Sequence, residues 1–232
     1  MSDDHTVLRM VRPQALVPQL AAESLRDAIL SGRLGPGERL IEATLAKSLG
    51  ISRPSLREAI SQLGAEKLVT ITPNRGAAVA VVNWDEAAEI YDVRALLEGE
   101  AGYRFAKRAT KPDIEKMHRA LRKFARASEK NDLRKLVSST GEFYEVLLHG
   151  CGNHIIYDLL KGLNARIALL RATSMSRAGR REQSFKEMAG ILEAVEQGDP
   201  EAVRARCIFH VRKAAEAAHV YFQNAEVVED AG

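Results

Sequence analysis

The sequence predicts a mainly α protein: an N-terminal winged helix-turn-helix followed by an all-α bundle of six, or with one more short helix seven, helices. Three observations lead there. The composition is 46% hydrophobic but only 5% aromatic, and Ala, Leu, Arg and Glu, all good helix formers, dominate it. Only two short β-branched runs occur, and both lie before residue 83. At 232 residues the chain also has length for two domains, which commonly run to about 100–150 residues each.

Residues 1–14 are polar and mixed and read as a flexible arm, with the winged unit expected over 15–82. From Leu16 to Leu30 the apolar residues Leu16, Leu20, Leu25 and Ile29 recur at a helical period. Three glycines and Pro36 within residues 31–37 stop that helix. A second helix is expected over Ile41–Leu49 and closed by Gly50, and a third opens at Ser52 with Leu56, Ile60 and Leu63 inward. Leu68–Thr72 and Ala78–Val82 read as the two strands of a hairpin around Pro73-Asn74-Arg75-Gly76. Three helices and a hairpin, in that order, make a winged helix.

Asn83 changes the character of the chain. With Glu86 three residues on it resembles a capping box, and helices are expected over 84–108, 111–130, 132–149, 153–176, 182–197 and 200–224. Thr110-Lys111-Pro112-Asp113, Gly152-Asn153 and Gly198-Asp199-Pro200 supply the stops and restarts. Ser174–Arg181 is polar and reads as a solvated loop or a further short helix; its basic run from Arg177 to Arg181 has a nucleic-acid patch as the alternative reading. The helical domain is expected over 83–226, leaving 227–232 as a tail.

Several classes fall away on composition. No run of about 18 uncharged apolar residues occurs, which excludes a membrane-spanning helix. The first residues lack the basic-then-apolar pattern of a secretory signal, and Cys151 and Cys207 form no disulfide framework, so a reducing cytoplasm is expected. No Gly-rich phosphate loop, nucleophile elbow, catalytic triad or HExxH motif is present, so an enzyme and a cofactor are not expected. Net charge, +3 from 34 Lys+Arg against 31 Asp+Glu, carries no signal by itself; the placement of the arginines does.

That placement centres on Ser52. As N-cap of the third helix it leaves Arg53, Ser55 and Arg57 on an outward first turn, while Arg75-Gly76 forms the hairpin tip. A helix N-terminus favours phosphate, and arginine grips guanine O6 and N7 through two hydrogen bonds. Ser52, Arg53, Ser55, Arg57, Arg75 and Gly76 are therefore the candidate DNA contacts, although each arginine taken singly also reads as a solvated charge.

The stretch resembles the GntR family of bacterial transcription regulators. The similarity runs through Leu25-Arg26-Asp27-Ala28-Ile29, Pro36-Gly37-Glu38-Arg39-Leu40, Gly50-Ile51-Ser52-Arg53 and Arg57-Glu58-Ala59-Ile60, and ends at Arg75-Gly76. Two departures stand out. Pro54-Ser55-Leu56 replaces the family's usual Thr-Pro-Val, and Ala43 stands where a basic residue is common. The helical region resembles the FadR C-terminal (FCD) ligand-binding domain through Tyr91-Asp92-Val93-Arg94 with Leu97-Glu98, Glu142-Phe143-Tyr144, Gly152-Asn153 and Ile191–Asp199. These resemblances imply a homodimer on a near-palindromic double-stranded operator, repression as the usual role, and a small carboxylate-bearing effector enclosed by the bundle.

The FCD resemblance also implies a metal site of one aspartate and three histidines, whose positions fall at Thr140, Tyr144, Met188 and His210. Three of the four lack suitable donor chemistry, so no bound metal is expected and the effector's anionic group must be held by other means. Arg94 leads the candidates, at the edge of an inward face marked by Ile90, Val93 and Leu97; an ion pair with Glu98 is its other reading. Tyr144, His210, Thr140, Met188, Arg171 and Asn153 complete the candidate effector set, with ordinary core packing as the alternative for Tyr144, His210 and Met188. Two rival functions remain at this stage, a winged helix serving only as a protein-interaction module and a helical-domain enzyme fused to a winged helix.

Overall fold

The computed structural model describes the backbone of residues 16–229 and the side chains of residues 16–223. The arm expected over 1–14 lies outside the described residues. The winged unit runs α1 (Leu16–Leu30), β1 (Arg39–Leu40), α2 (Glu42–Leu49), α3 (Arg53–Ala65), β2 (Val69–Thr72) and β3 (Gly76–Val79). The bundle follows as α4 (Trp84–Ala106), α5 (Lys111–Glu129), α6 (Leu133–Gly150), α7 (His154–Met175), α8 (Arg180–Glu196) and α9 (Pro200–Glu229).

Local chemistry accounts for most of these boundaries. Gly50 ends α2 in the left-handed region at φ 65°, and its N–H reaches back to the Ala46 and Lys47 carbonyls. Asn83 caps α4 by accepting from the Glu86 N–H, and Thr110 and Asp113 form a reciprocal capping box on α5. In the wing, the Arg75 N–H bonds the Thr72 carbonyl around Pro73 and Asn74, with Asn74 at φ 62°. Proline followed by a residue at positive φ is type II turn chemistry.

Four elements differ from expectation. The sheet has a third strand, in order β1-β3-β2, because Arg39–Leu40 pairs antiparallel with Ala77–Ala78. The hairpin sits earlier than the β-branched run suggested, with Thr72 opposite Gly76 and Val81 and Val82 outside the sheet. Arg180 and Arg181 open α8 instead of lying in a loop, and no seventh bundle helix occurs among the described residues. The last helix continues to Glu229, so residues 227–229 of the expected tail are helical.

Two apolar cores result. The winged core gathers Leu25, Ile29, Leu40, Leu56, Ile60, Leu63, Leu68 and Val79. Leu56, Leu63 and Leu68 are fully buried, each contributing about 1.5–3 kcal/mol of burial. In the bundle α4 packs along α9, α5 against α6 and α8, and α7 against α6 and α9. Gly99 and Gly102 permit the close approach of α4: a Cβ on either would stand 2.7 Å from Ile208 Cγ1 or 2.9 Å from Cys207 Sγ.

α7 belongs to both units. Ile167 and Leu170 face the bundle core, whereas Ala165 and Leu169 pack against the winged core. An ion pair between Arg134 on α6 and Asp27 on α1, at 2.7 Å, adds a polar tie between the units.

Candidate nucleic-acid interface and buried polar cluster

The first site is the exposed start of α3. Ser52 Oγ accepts from the Ser55 N–H at 3.2 Å and also bonds Ser55 Oγ at 2.9 Å, so both hydroxyls are engaged in setting the cap. Arg53 and Arg57 lie exposed four residues apart, one turn along the helix. Arg57 is not free, because its Nε donates to Glu42 at 2.8 Å from the start of α2. This carboxylate holds the guanidinium on the outer face of the helix pair. Arg75 and Gly76 are exposed at the wing, Gly76 at φ 87°. All six sequence-derived candidates therefore sit on exposed turns: four at the start of one helix and two at the hairpin.

The second site lies inside the bundle. Arg94 is fully buried on α4, not at the edge of its inward face. Its Nε donates to Glu98 at 2.7 Å, while both Nη atoms, Glu98 Oε2 and Tyr144 Oη find no partner among the described residues. Burial opposes the Arg94 charge, but the Glu98 carboxylate outweighs it and raises the Arg94 pKa. Arg171, from α7, stands with its guanidinium 5.4 Å from the Tyr144 ring centroid. Burial, and next the repulsion from Arg94, pull its pKa down to about 10. Tyr91 is pushed up to about 12 by burial, and its hydroxyl points at the Leu170 carbonyl.

His210 stacks near Tyr144, ring centroids 5.7 Å apart, and its Nδ1 lies 2.7 Å from Glu187 Oε2. Glu187 also accepts two hydrogen bonds from Arg180, at 2.9 and 2.8 Å. Burial lowers the His210 pKa, more than the Glu187 carboxylate raises it. Glu187 shifts downward, because His210 and Arg180 together outweigh its burial.

Five of the expected effector residues thus share one polar cluster or its immediate wall: Arg94, Arg171, Tyr144, His210 and, on the Tyr144 helix, Thr140. Met188 is buried in the adjoining core. Asn153 is separate. It caps α7 through the Ile156 N–H and lines a surface hollow with His149 and Tyr157. Eighteen residues divide it from Arg171, about 27 Å along a helix. Glu98, Glu187, Arg180 and Ser184 were not among the candidates. Their signal was present: Arg180, Ser184, Glu187 and Met188 fall at i, i+4, i+7 and i+8, one helix face on which polar residues replace core. Arg180, read as a solvated loop residue, is buried against Glu187.

The donors do not suit a metal ion. Thr140 Oγ1 donates to the Leu136 carbonyl at 2.9 Å, and burial holds the Tyr144 phenol well above its ordinary pKa. Met188 offers only a thioether, and the carboxylate beside His210 already serves Arg180. The Arg180 and Arg94 charges that act on His210 would also oppose a cation beside it.

Comparison with known proteins relates both parts of the chain to known families. The bacterial regulatory proteins of the gntR family match residues 19–79, and the FCD domain family matches residues 89–213. The chain is 26% identical over 187 residues to YdhC, an uncharacterized HTH-type transcriptional regulator of Bacillus subtilis (strain 168), covering 80% of this chain and 84% of that one. It is 27% identical over 175 residues to the gluconate operon transcriptional repressor of the same organism, covering 74% and 70%. It is likewise 27% identical over 217 residues to the Glc operon transcriptional activator of Escherichia coli (strain K12), covering 84% and 85%. The solved structure of E. coli McbR/YncC superposes with a TM-score of 0.75 at 22% identity, over 93% of this chain and all of that one. No helix among the described residues is long and apolar enough to cross a membrane. The chain belongs to the GntR family of DNA-binding transcription regulators, with an FCD domain as its C-terminal part.

Proposed function

We propose that this regulator is a homodimeric repressor whose operator affinity is set by a small carboxylate-bearing effector held at Arg94. One observation carries the effector reading. Arg94 keeps both buried Nη atoms without a partner among the described residues, and so do Tyr144 Oη and Arg171 Nε in the same cluster. Buried guanidinium donors without acceptors cost several kcal/mol, and a carboxylate taking two of them recovers that loss.

The remaining parts follow from surface chemistry and kinship. Arg53, Arg57 and the wing Arg75 supply the groove-facing cations. Val93 and Leu96 on α4 and Ile155 and Leu159 on α7 are exposed apolar side chains, a surface suited to a second copy of the chain. The gluconate operon repressor among the relatives supports repression. For coupling, α7 is the physical route, since Arg171 and Leu169 lie two residues apart, one at the polar cluster and one on the winged core. The effector changes DNA affinity only insofar as it binds one placement of the winged helices better than another.

The test is thermal stabilisation by a panel of short mono- and dicarboxylic acids, combined with release of operator DNA followed by fluorescence anisotropy. An acid that stabilises the wild type and releases DNA should do neither in Arg94→Met/Glu98→Leu, which removes the guanidinium without stranding the carboxylate. Equal stabilisation of that variant would exclude Arg94 as the effector ligand.

A further inference from the structure

A cleft of about 530 Å³ separates α1 and the end of α3 from α6 and α7. Six ionisable side chains line it: Arg26, Arg134, Lys161 and Arg171 against Asp27 and Glu66. Four cations less two carboxylates leave two positive charges in excess. Both carboxylates are already engaged. Glu66 accepts from Arg26 Nε and Nη2 at 2.9 and 2.6 Å, and Asp27 accepts from Arg134 at 2.7 Å.

The other two cations have no such partner among the described residues. Arg171 is only 6% exposed, its Nε is buried and unpartnered, and it makes no guanidinium hydrogen bond there. The exposed Lys161 ammonium has no carboxylate within bonding distance and lies 5.5 Å from the Tyr157 ring centroid. The two are ten residues apart on α7, about 15 Å along the axis. Arg171 Nη1 lies on the Gly141 side of the cleft, 3.6 Å from where a Cβ at Gly141 would stand, and Lys161 stands at the exposed rim. Between the charged groups Val137 and Ala168 give the cleft an apolar surface.

We propose that this cleft is a second anion site, meeting the Arg94 cluster at Arg171, that takes a small organic dicarboxylate between Arg171 at its floor and Lys161 at its rim. Gly141 and Gly162 also line it, and neither adds a side chain to the space. Burial, with Arg94 next, already depresses the Arg171 pKa to about 10, and a bound carboxylate would reverse that trend. Because Arg26 and Asp27 belong to the winged unit, an occupant also touches both halves of the molecule and holds their relative placement.

Isothermal titration of the full chain with adipate, and with hexanoate as the singly charged equivalent, tests this at low ionic strength. Adipate should bind saturably, and hexanoate at least about tenfold more weakly. Lys161→Glu, a change at an exposed position, should weaken adipate by at least about tenfold. Arg94→Met/Glu98→Leu, which removes one positive and one negative charge near Arg171, should weaken adipate by less than Lys161→Glu does. The proposal is overturned if adipate fails to saturate the wild type, binds no better than hexanoate, or ignores Lys161→Glu. A loss that follows the Arg94/Glu98 change instead would assign the binding to the bundle cluster and remove the cleft site, while leaving the effector reading intact.

Discussion

Arg94 donates its Nε to Glu98 at 2.7 Å across a single helical turn, and the two side chains are 1% and 2% exposed. On a surface such a pair contributes a few tenths of a kcal/mol. Inside the bundle it is a pair of desolvated charges that half-satisfy each other, with three polar atoms left over. Glu98 thus engages Arg94 through Nε alone and leaves both Nη atoms without a partner among the described residues.

Removing one member should therefore be worse than removing both. Arg94→Met alone should lower unfolding free energy by about 3 kcal/mol, the lower end for a stranded buried charge, because Arg171 also acts on Glu98. Arg94→Met/Glu98→Leu should fall within about 1 kcal/mol of wild type or exceed it. Urea denaturation of both variants checks the order. A double variant as unstable as the single one would refute the charge-pair account.

At the other end of the molecule the arginines should matter for DNA and little for folding. Arg57 and Glu42 have side chains 67% and 37% exposed, so their pair is worth less than about 1 kcal/mol. Arg53→Ala/Arg57→Ala should keep its helical circular dichroism and lose about a hundredfold or more in affinity for the intergenic DNA beside its own gene. Wild-type affinity should also decline as salt rises. Retention of tight binding by the double variant would dismiss the start of α3 as the reading surface.

The α4–α9 contact predicts a packing penalty. A Cβ at Gly102 would meet Cys207 Sγ at 2.9 Å and Val203 Cγ1 at 3.0 Å. Gly102→Val should cost about 1–3 kcal/mol despite removing a helix glycine. Calorimetric melting reads this directly, and an unchanged or higher Tm would mean the two helices spread without loss.

A pH dependence follows from His210. Its folded pKa is lowered from the ordinary 6.5, first by burial, so the unfolded chain takes up the proton more readily. The neutral ring's contribution to stability is fully present above pH 6.5 and is lost as pH falls from there through the folded pKa. In His210→Gln this part of the acid loss should vanish. Melting temperatures of both proteins across that window give the difference, and parallel curves would contradict the assignment.

The parts legible in the sequence were those decided within one turn of chain. Ser52, Asn83, Thr110 and Gly50 each act on atoms three or four residues away, so the helix starts and stops at those residues could be read directly. β1 was hidden because Arg39 and Leu40 become a strand only by pairing with Ala78 and Ala77. Arg94 looked like an edge residue because helix periodicity does not disclose which neighbouring helices will cover that edge. The Arg180–Glu187–His210 chain needs α8 and α9 side by side, a juxtaposition of residues 23 apart that no local pattern encodes. For Asn153 the capping role was local and readable, but its distance from Arg171 was a matter of helix length.

Ala165 and Leu169 give the winged core two of its flanking side chains from a helix that begins more than seventy residues after the wing. The natural seam between the halves therefore does not run through the short connection before Asn83. It runs along the face of α7. A reader unit cut out at Val82 would carry an unfinished apolar flank, and grafting it onto a foreign sensor would succeed only where the recipient offers small and leucine-like residues at those two places. Portability of the DNA-reading half is thus written in the sensing half.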